Sequence, residues 1–306
     1  MSAILKSRWS LAGAALALLI VVLGVMSRPY WRDEYWALYF SGYGMSLHDA
    51  VTTRMVRDVH PPLYFILQHY WRVPFESELW ARALNVLTLS LGALGLWALG
   101  RRRGEETLLF LLLCAGSYWV IFYTIELRMY LLLFVLCALS VVVMRNALER
   151  PERAPREALL FALIGACAGL THFFGALWIA LAAFWTGLAL LRSGKRAGFF
   201  AWGVGGAVAL VPVLIWIALV HPEHNPGAQG DILPLGRAFG YAVSQFARGL
   251  FVKTFGSNLA AAAVLLLVTP ALLRRRDPFD LVLMLSFWSA VVIAIAIHLF
   301  AVPLIK

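Results

Sequence analysis

The sequence predicts an all-α polytopic membrane helix bundle of about nine spans, its N-terminus inside, with amphipathic juxtamembrane helices in the first outer loop. Three observations carry that expectation. Of the 306 residues, 62% are hydrophobic and 14% charged, whereas a soluble domain has about 25% charged residues. Several apolar runs approach or reach the roughly 20 residues that a spanning helix needs. The Lys and Arg residues behind the net charge of +10 fall in short clusters between those runs, where topology accounts for them better than nucleic-acid binding does. No nucleic-acid partner is expected. Cys114, Cys137 and Cys167 lie inside apolar stretches without paired spacing; they read as small core residues, not as a disulfide framework or metal set. Residues 1–306 read as a single transmembrane domain without repeats, low-complexity tracts or a soluble module.

Taken in order, Lys6 and Arg8 precede an apolar run from Leu11 to Met26. That is the outline of a signal sequence, but no small-x-small cleavage site follows it cleanly, so it is expected as an uncleaved first span. Further spans are expected near 82–100, 107–124, 127–144, 157–171, 173–191, 197–219, 257–273 and 278–300, after a first near 10–27. The connections fall into two alternating sets. Segments 1–10, 101–106, 145–157, 192–196 and 274–277 hold 15 Lys and Arg in 38 positions; segments 27–80, 124–128, 171–174, 220–256 and 301–306 hold 10 in 106. By the positive-inside rule the first set is cytoplasmic. Segment 157–191 is short for two full spans, yet a single crossing would put one basic loop on the wrong side. Parity therefore favours a tight hairpin turning near Thr171-His172-Phe173-Phe174-Gly175.

Segment 28–80 is too long for a structureless loop. Trp31, Tyr35, Trp36, Tyr39 and Phe40 recur at about helical spacing, with rings suited to the headgroup zone. Ser46 is placed to cap a second helix carrying Val51, Met55 and Val59. Pro61 and Pro62 suit the first turn of a third, running through Phe65, Leu67, His69 and Trp71. A second outer loop, 220–256, contains a comparable amphipathic piece over Pro234–Phe255.

Four outer clusters hold the residues capable of chemistry. Asp33 and Glu34 follow the first span closely. One such carboxylate can deprotonate an incoming hydroxyl, and because adjacent helical residues diverge by about 100°, Asp33 is taken as the base with Glu34 orienting an acceptor or cation. The plainer reading is a solvated pair answering Arg28 and Arg32. Asp58-Val59-His60-Pro61-Pro62 offers free amides and an imidazole for an anion; equally, Asp58 is a helix cap. In Tyr123-Thr124-Ile125-Glu126-Leu127-Arg128-Met129-Tyr130, Glu126 and Tyr130 are four apart and are expected on one helix face. Arg128 suits a lipid phosphate or diphosphate, or else a local ion pair. His172 is either a site residue or a satisfied polar group in an apolar turn. Arg82 is expected to anchor to headgroups or to Glu78. His221, Glu223 and His224 form a weak metal set, and the metal stays unknown. No Asp, Glu, Lys or Arg falls mid-span, which argues against an ion-coupled transporter.

The acidic pair after the first span, Asp58-Val59-His60-Pro61-Pro62-Leu63, Ser77-Glu78-Leu79-Trp80-Ala81-Arg82, the turn Glu126-x-Arg128-x-Tyr130 and Thr171-His172-Phe173-Phe174-Gly175 occur in family order. Over roughly residues 8–220 the chain resembles the membrane module of the GT-C glycosyltransferases, in particular the protein O-mannosyltransferase and aminoarabinose-transferase group. The resemblance implies a polyprenyl-phosphate-linked sugar donor and an inverting transfer on the outer membrane face. It implies Asp33 as base, Glu126 at the second acidic position, and Arg128 and His60 near the donor phosphate. Relatives differ in metal dependence, so a divalent cation is an open question and no cofactor is assigned. Many continue into further spans and a soluble C-terminal domain, where this chain stops soon after its ninth span; the acceptor (protein, lipid or glycan) is therefore not implied. The expected location is the bacterial inner membrane, with the site on the periplasmic or extracellular side. A lipid-linked saccharide transporter and a non-catalytic assembly subunit are the other classes compatible with the architecture.

Overall fold

A computed structural model describes residues 30, 32–58, 60–100, 118–220 and 277–300, with single positions at 19, 23, 107, 110, 111 and 114. All regular structure among them is helical. The expected span 257–273, all but single positions of the span 10–27 and of the first part of 107–124, the loop from 221 to 256 with its His221, Glu223 and His224, and the residues Arg28, Trp31 and Val59 lie outside the described residues.

The outer segment forms three windings. Helix α1 is Arg32–Phe40. Helix α2, Leu47–Asp49, starts at Ser46, whose Oγ accepts from the Asp49 amide, as its position predicts. It continues as a π turn over Ala50–Arg54 and a 3-10 turn over Met55–Arg57. Helix α3, Leu63–Trp71, begins after Pro62, where the missing proline N–H costs no helical bond. Tyr35, Trp36 and Tyr39 are exposed, whereas Ala37, Ala50, Met55, Tyr64 and Phe65 are buried. This inner face joins a core with Leu84, Leu127, Met129 and Trp216, so the segment is docked on the bundle. Burial of this apolar surface holds the windings in place.

The bundle helices are α4 Glu78–Leu99, α5 Tyr118–Ile125, α6 Tyr130–Glu149, α7 Ala154–Thr171, α8 Phe173–Arg192, α9 Arg196–Leu219 and α10 Pro278–Phe300. Five of the described helices, Glu78–Leu99, Tyr130–Glu149, Pro151–Thr171, Phe173–Arg192 and Arg196–Leu219, are long and apolar enough to cross a membrane. The described residues thus form an all-helical structure with the hallmarks of an integral membrane protein. The length problem at 157–191 is solved by extending both helices into the flanking basic segments, from a 3-10 turn at Pro151 to Arg192. Only His172 separates α7 from α8.

Small residues allow α7, α8 and α9 to approach closely, the usual device where lipid removes the hydrophobic drive between helices. A Cβ on Gly205 would stand 2.7 Å from the Ala158 carbonyl oxygen, and one on Gly175 would collide with that of Ala168. The second contact ties the start of α8 to the end of α7.

Candidate functional site

The turn between α5 and α6 is the structural pivot. Residues 126–129 are non-helical, so Glu126 precedes α6, which opens at Tyr130. The expectation that Glu126 and Tyr130 share a helix face is therefore corrected: the chain turns between them. The Glu126 side chain is buried, and its carbonyl accepts from the Arg128 amide (2.8 Å) and from Asn85 Nδ2 (2.6 Å). Asn85 Nδ2 also donates to the Tyr123 carbonyl, and Asn85 Oδ1 accepts from the Tyr64 hydroxyl. Gln68 Nε2 donates to that hydroxyl and to the Ala81 carbonyl. Asn85, Tyr64 and Gln68 were not singled out from the sequence. A side-chain amide within an apolar run, as at Asn85, was the available signal.

Glu34 and Arg82 are corrected as well. Both are 0% exposed, with Arg82 Nε 3.1 Å from Glu34 Oε1 and Arg82 Nη2 3.2 Å from Glu34 Oε2. Glu34 Oε1 also accepts from the Leu127 amide at 3.2 Å. Glu34 therefore orients the turn, not an incoming molecule. Arg82 lies in the second turn of α4, which starts at Glu78, and its side chain faces inward to Glu34 instead of headgroups or Glu78. The Tyr30 ring covers its guanidinium. A fully buried ion pair requires such additional hydrogen bonds to offset desolvation.

Asp33 diverges from Glu34 as helix geometry requires: it is partly exposed and makes no hydrogen bond among the described residues. Its charge and that of Asp58 act on Arg128. Burial disfavours the Arg128 cation, but the Tyr130 hydroxyl and the two carboxylates outweigh burial and raise its pKa. Arg128 Nε is buried without a hydrogen-bond partner among the described residues.

Asp58, also buried, accepts from His60 Nδ1 at 3.1 Å. The His60 ring lies 5.3 Å from that of His172, which lies 5.7 Å from Tyr130. His172 stacks on Phe174, and its Nδ1 accepts from the Phe174 amide at 3.1 Å. Burial, with the neighbouring His60 and Arg128, pushes the His172 pKa down to about 4 against the pull of Asp58. The ring is therefore neutral near pH 7, and with Nδ1 accepting, its proton is on Nε2.

Three separate stretches thus meet: Asp58 and His60 from the loop before α3, Arg128 and Tyr130 from the pivot, and His172 from the hairpin; Asp33 of α1 acts on Arg128 through its charge. The arrangement combines a carboxylate with a guanidinium and imidazole donors, suited to an anion beside a proton acceptor. Among the described residues, no three His, Cys, Asp or Glu side chains form a metal-holding group. No family model, curated protein or solved structure matches the chain.

Proposed function

We propose that this chain is a GT-C-like integral membrane glycosyltransferase. It takes a sugar from a polyprenyl phosphate at the outer membrane face and passes it to a hydroxyl-bearing acceptor. The observation that carries the reading is the meeting of His60, Tyr130 and His172 beside Arg128, whose buried Nε–H has no partner among the described residues and whose charge the Asp33 carboxylate favours. A buried donor left unsatisfied costs about 1–3 kcal/mol, a cost that a phosphate oxygen relieves. The order of the five motifs noted above supports the same reading, as does the basic-residue distribution, which puts the N-terminus inside and 28–80 outside in a nine-span topology.

The reaction is a single inverting displacement. Asp33 takes the acceptor proton as the acceptor oxygen bonds to the anomeric carbon. The bond from that carbon to the phosphate oxygen breaks on the opposite face, and the electron pair leaves with the polyprenyl phosphate. Arg128 and the His172 Nε2–H stabilise the charge that develops there, a contribution typically worth a few kcal/mol per donor. Asp58 holds His60 through Nδ1, leaving Nε2 as the ring nitrogen for the donor phosphate. The polyprenyl tail lies between helices in lipid.

The test is incubation of the purified protein with a radiolabelled polyprenyl-phosphate sugar and membranes. Transfer of label supports the enzyme. Movement of donor across the bilayer without transfer replaces it with a transporter, and neither outcome favours a non-catalytic subunit.

A further inference from the structure

At the other end of the bundle, a cavity of about 350 Å³ opens where α4 and α6 end and α7 begins. Its lining includes Asn146, Arg150, Arg153, Arg156 and Glu157. Glu157 is 7% exposed, and its Oε2 is fully buried without a hydrogen-bond partner among the described residues. None of the three arginine side chains makes an ion pair or hydrogen bond among the described residues. Asn146 Nδ2 donates to the Leu99 carbonyl at 3.0 Å and so fixes the wall of the cavity. The buried carboxylate oxygen without a donor is costly unless a ligand completes it, and the three arginines, Arg153 and Arg156 among them exposed, leave their guanidinium groups available to an anion. The cavity lies at the ends of three helices long enough to span a bilayer, where a spanning helix leaves the hydrocarbon core. It is separated from His172 by most of α7, about 22 Å at 1.5 Å per residue, so it is distinct from the site above.

We infer that this cavity binds the headgroup of an anionic glycerophospholipid that also carries a hydrogen-bond donor. Its phosphodiester is held by Arg150, Arg153 and Arg156, and its terminal hydroxyl donates to Glu157. The charge balance selects this chemistry. Three arginines against one carboxylate leave net positive charge for a phosphate. The carboxylate accepts hydrogen bonds only, so it requires a hydroxyl on the same headgroup. The acyl chains continue along the apolar flanks of the helices.

The full-length protein in detergent is equilibrated separately with phosphatidylglycerol, phosphatidylmethanol, phosphatidylcholine and glycerol 3-phosphate. Retention is read by native mass spectrometry and stability by thermal unfolding. Phosphatidylglycerol is expected to be retained at least tenfold more than phosphatidylcholine, and more than phosphatidylmethanol, which has the same charge but no hydroxyl. Arg153→Ala/Arg156→Ala should remove at least tenfold of that retention; both residues are exposed, so folding is little affected. Glu157→Leu should fold, keep phosphatidylmethanol binding, and lose the preference for phosphatidylglycerol. Equal retention by the wild type and the double-arginine variant overturns the site. An undiminished preference in Glu157→Leu overturns the hydroxyl assignment. Competition by glycerol 3-phosphate at micromolar concentration overturns the lipid source in favour of a soluble phosphate ester.

Discussion

The two acids at 33 and 34 show how one residue step separates structure from chemistry. Glu34 is fully buried against Arg82, whereas Asp33 is partly exposed and its charge favours the Arg128 cation. Asp33→Asn is expected to lower transfer by at least 10²-fold, the scale of a lost general base, with unchanged membrane insertion and melting temperature. Normal transfer by this variant would remove Asp33 from the mechanism. Glu34→Gln should instead destabilise, since it leaves the buried Arg82 charge uncompensated, at about 3–5 kcal/mol. Replacing both partners by leucine should recover much of that loss in a thermal melt. His172 adds a pH dependence. Because the folded protein holds its imidazole near pKa 4, below the ordinary 6.5, the unfolded chain takes up the proton first. The stabilisation is present above pH 6.5 and is lost as pH falls toward 4, by roughly 3 kcal/mol. Over that window the wild type should lose more stability than His172→Gln, and parallel losses would show that this group is not the titrating one.

Among the elements, the pivot and the hairpin place the site. The pivot has no regular structure of its own, and Glu34, Asn85 and the Tyr64–Gln68 pair hold it from three directions. Asn85→Ala removes donors to two carbonyls and leaves the Tyr64 hydroxyl without its acceptor, so the melting temperature should fall and the KM for donor should rise. A change in neither would mean that the turn keeps its shape unaided. The hairpin depends on Gly175, where an added methyl group would strike the Ala168 carbonyl. Gly175→Ala should therefore push α7 and α8 apart around His172, with a combined loss of stability and of transfer activity. Both effects act through position, because neither residue is proposed to touch substrate.

For the whole molecule, the proposed topology puts the aromatic face of α1 and the residue Ser193 on opposite sides of the membrane. In a background with the three native cysteines replaced, Trp36→Cys should react with an impermeant maleimide in intact cells. Ser193→Cys should react only after permeabilisation; the reverse pattern would invert the orientation. How much of this was legible follows from what a bilayer demands. A spanning segment must be apolar whichever way it faces, so the five spanning-length helices among the described residues could be read locally, and a turn near His172 followed from parity. For the same reason the sequence carries little of the one-sided pattern that tells a soluble helix which face points inward. Which polar groups would meet was therefore hidden: Arg82 finds Glu34 across 48 residues, and the Leu127 amide finds it across 93. By itself the sequence determined a helical membrane protein with its candidate site residues gathered in a few short stretches. Only the tertiary structure decided which of them stand together and which are locked away. That outcome depends on how each helix is rotated about its axis, and packing against distant neighbours sets that rotation.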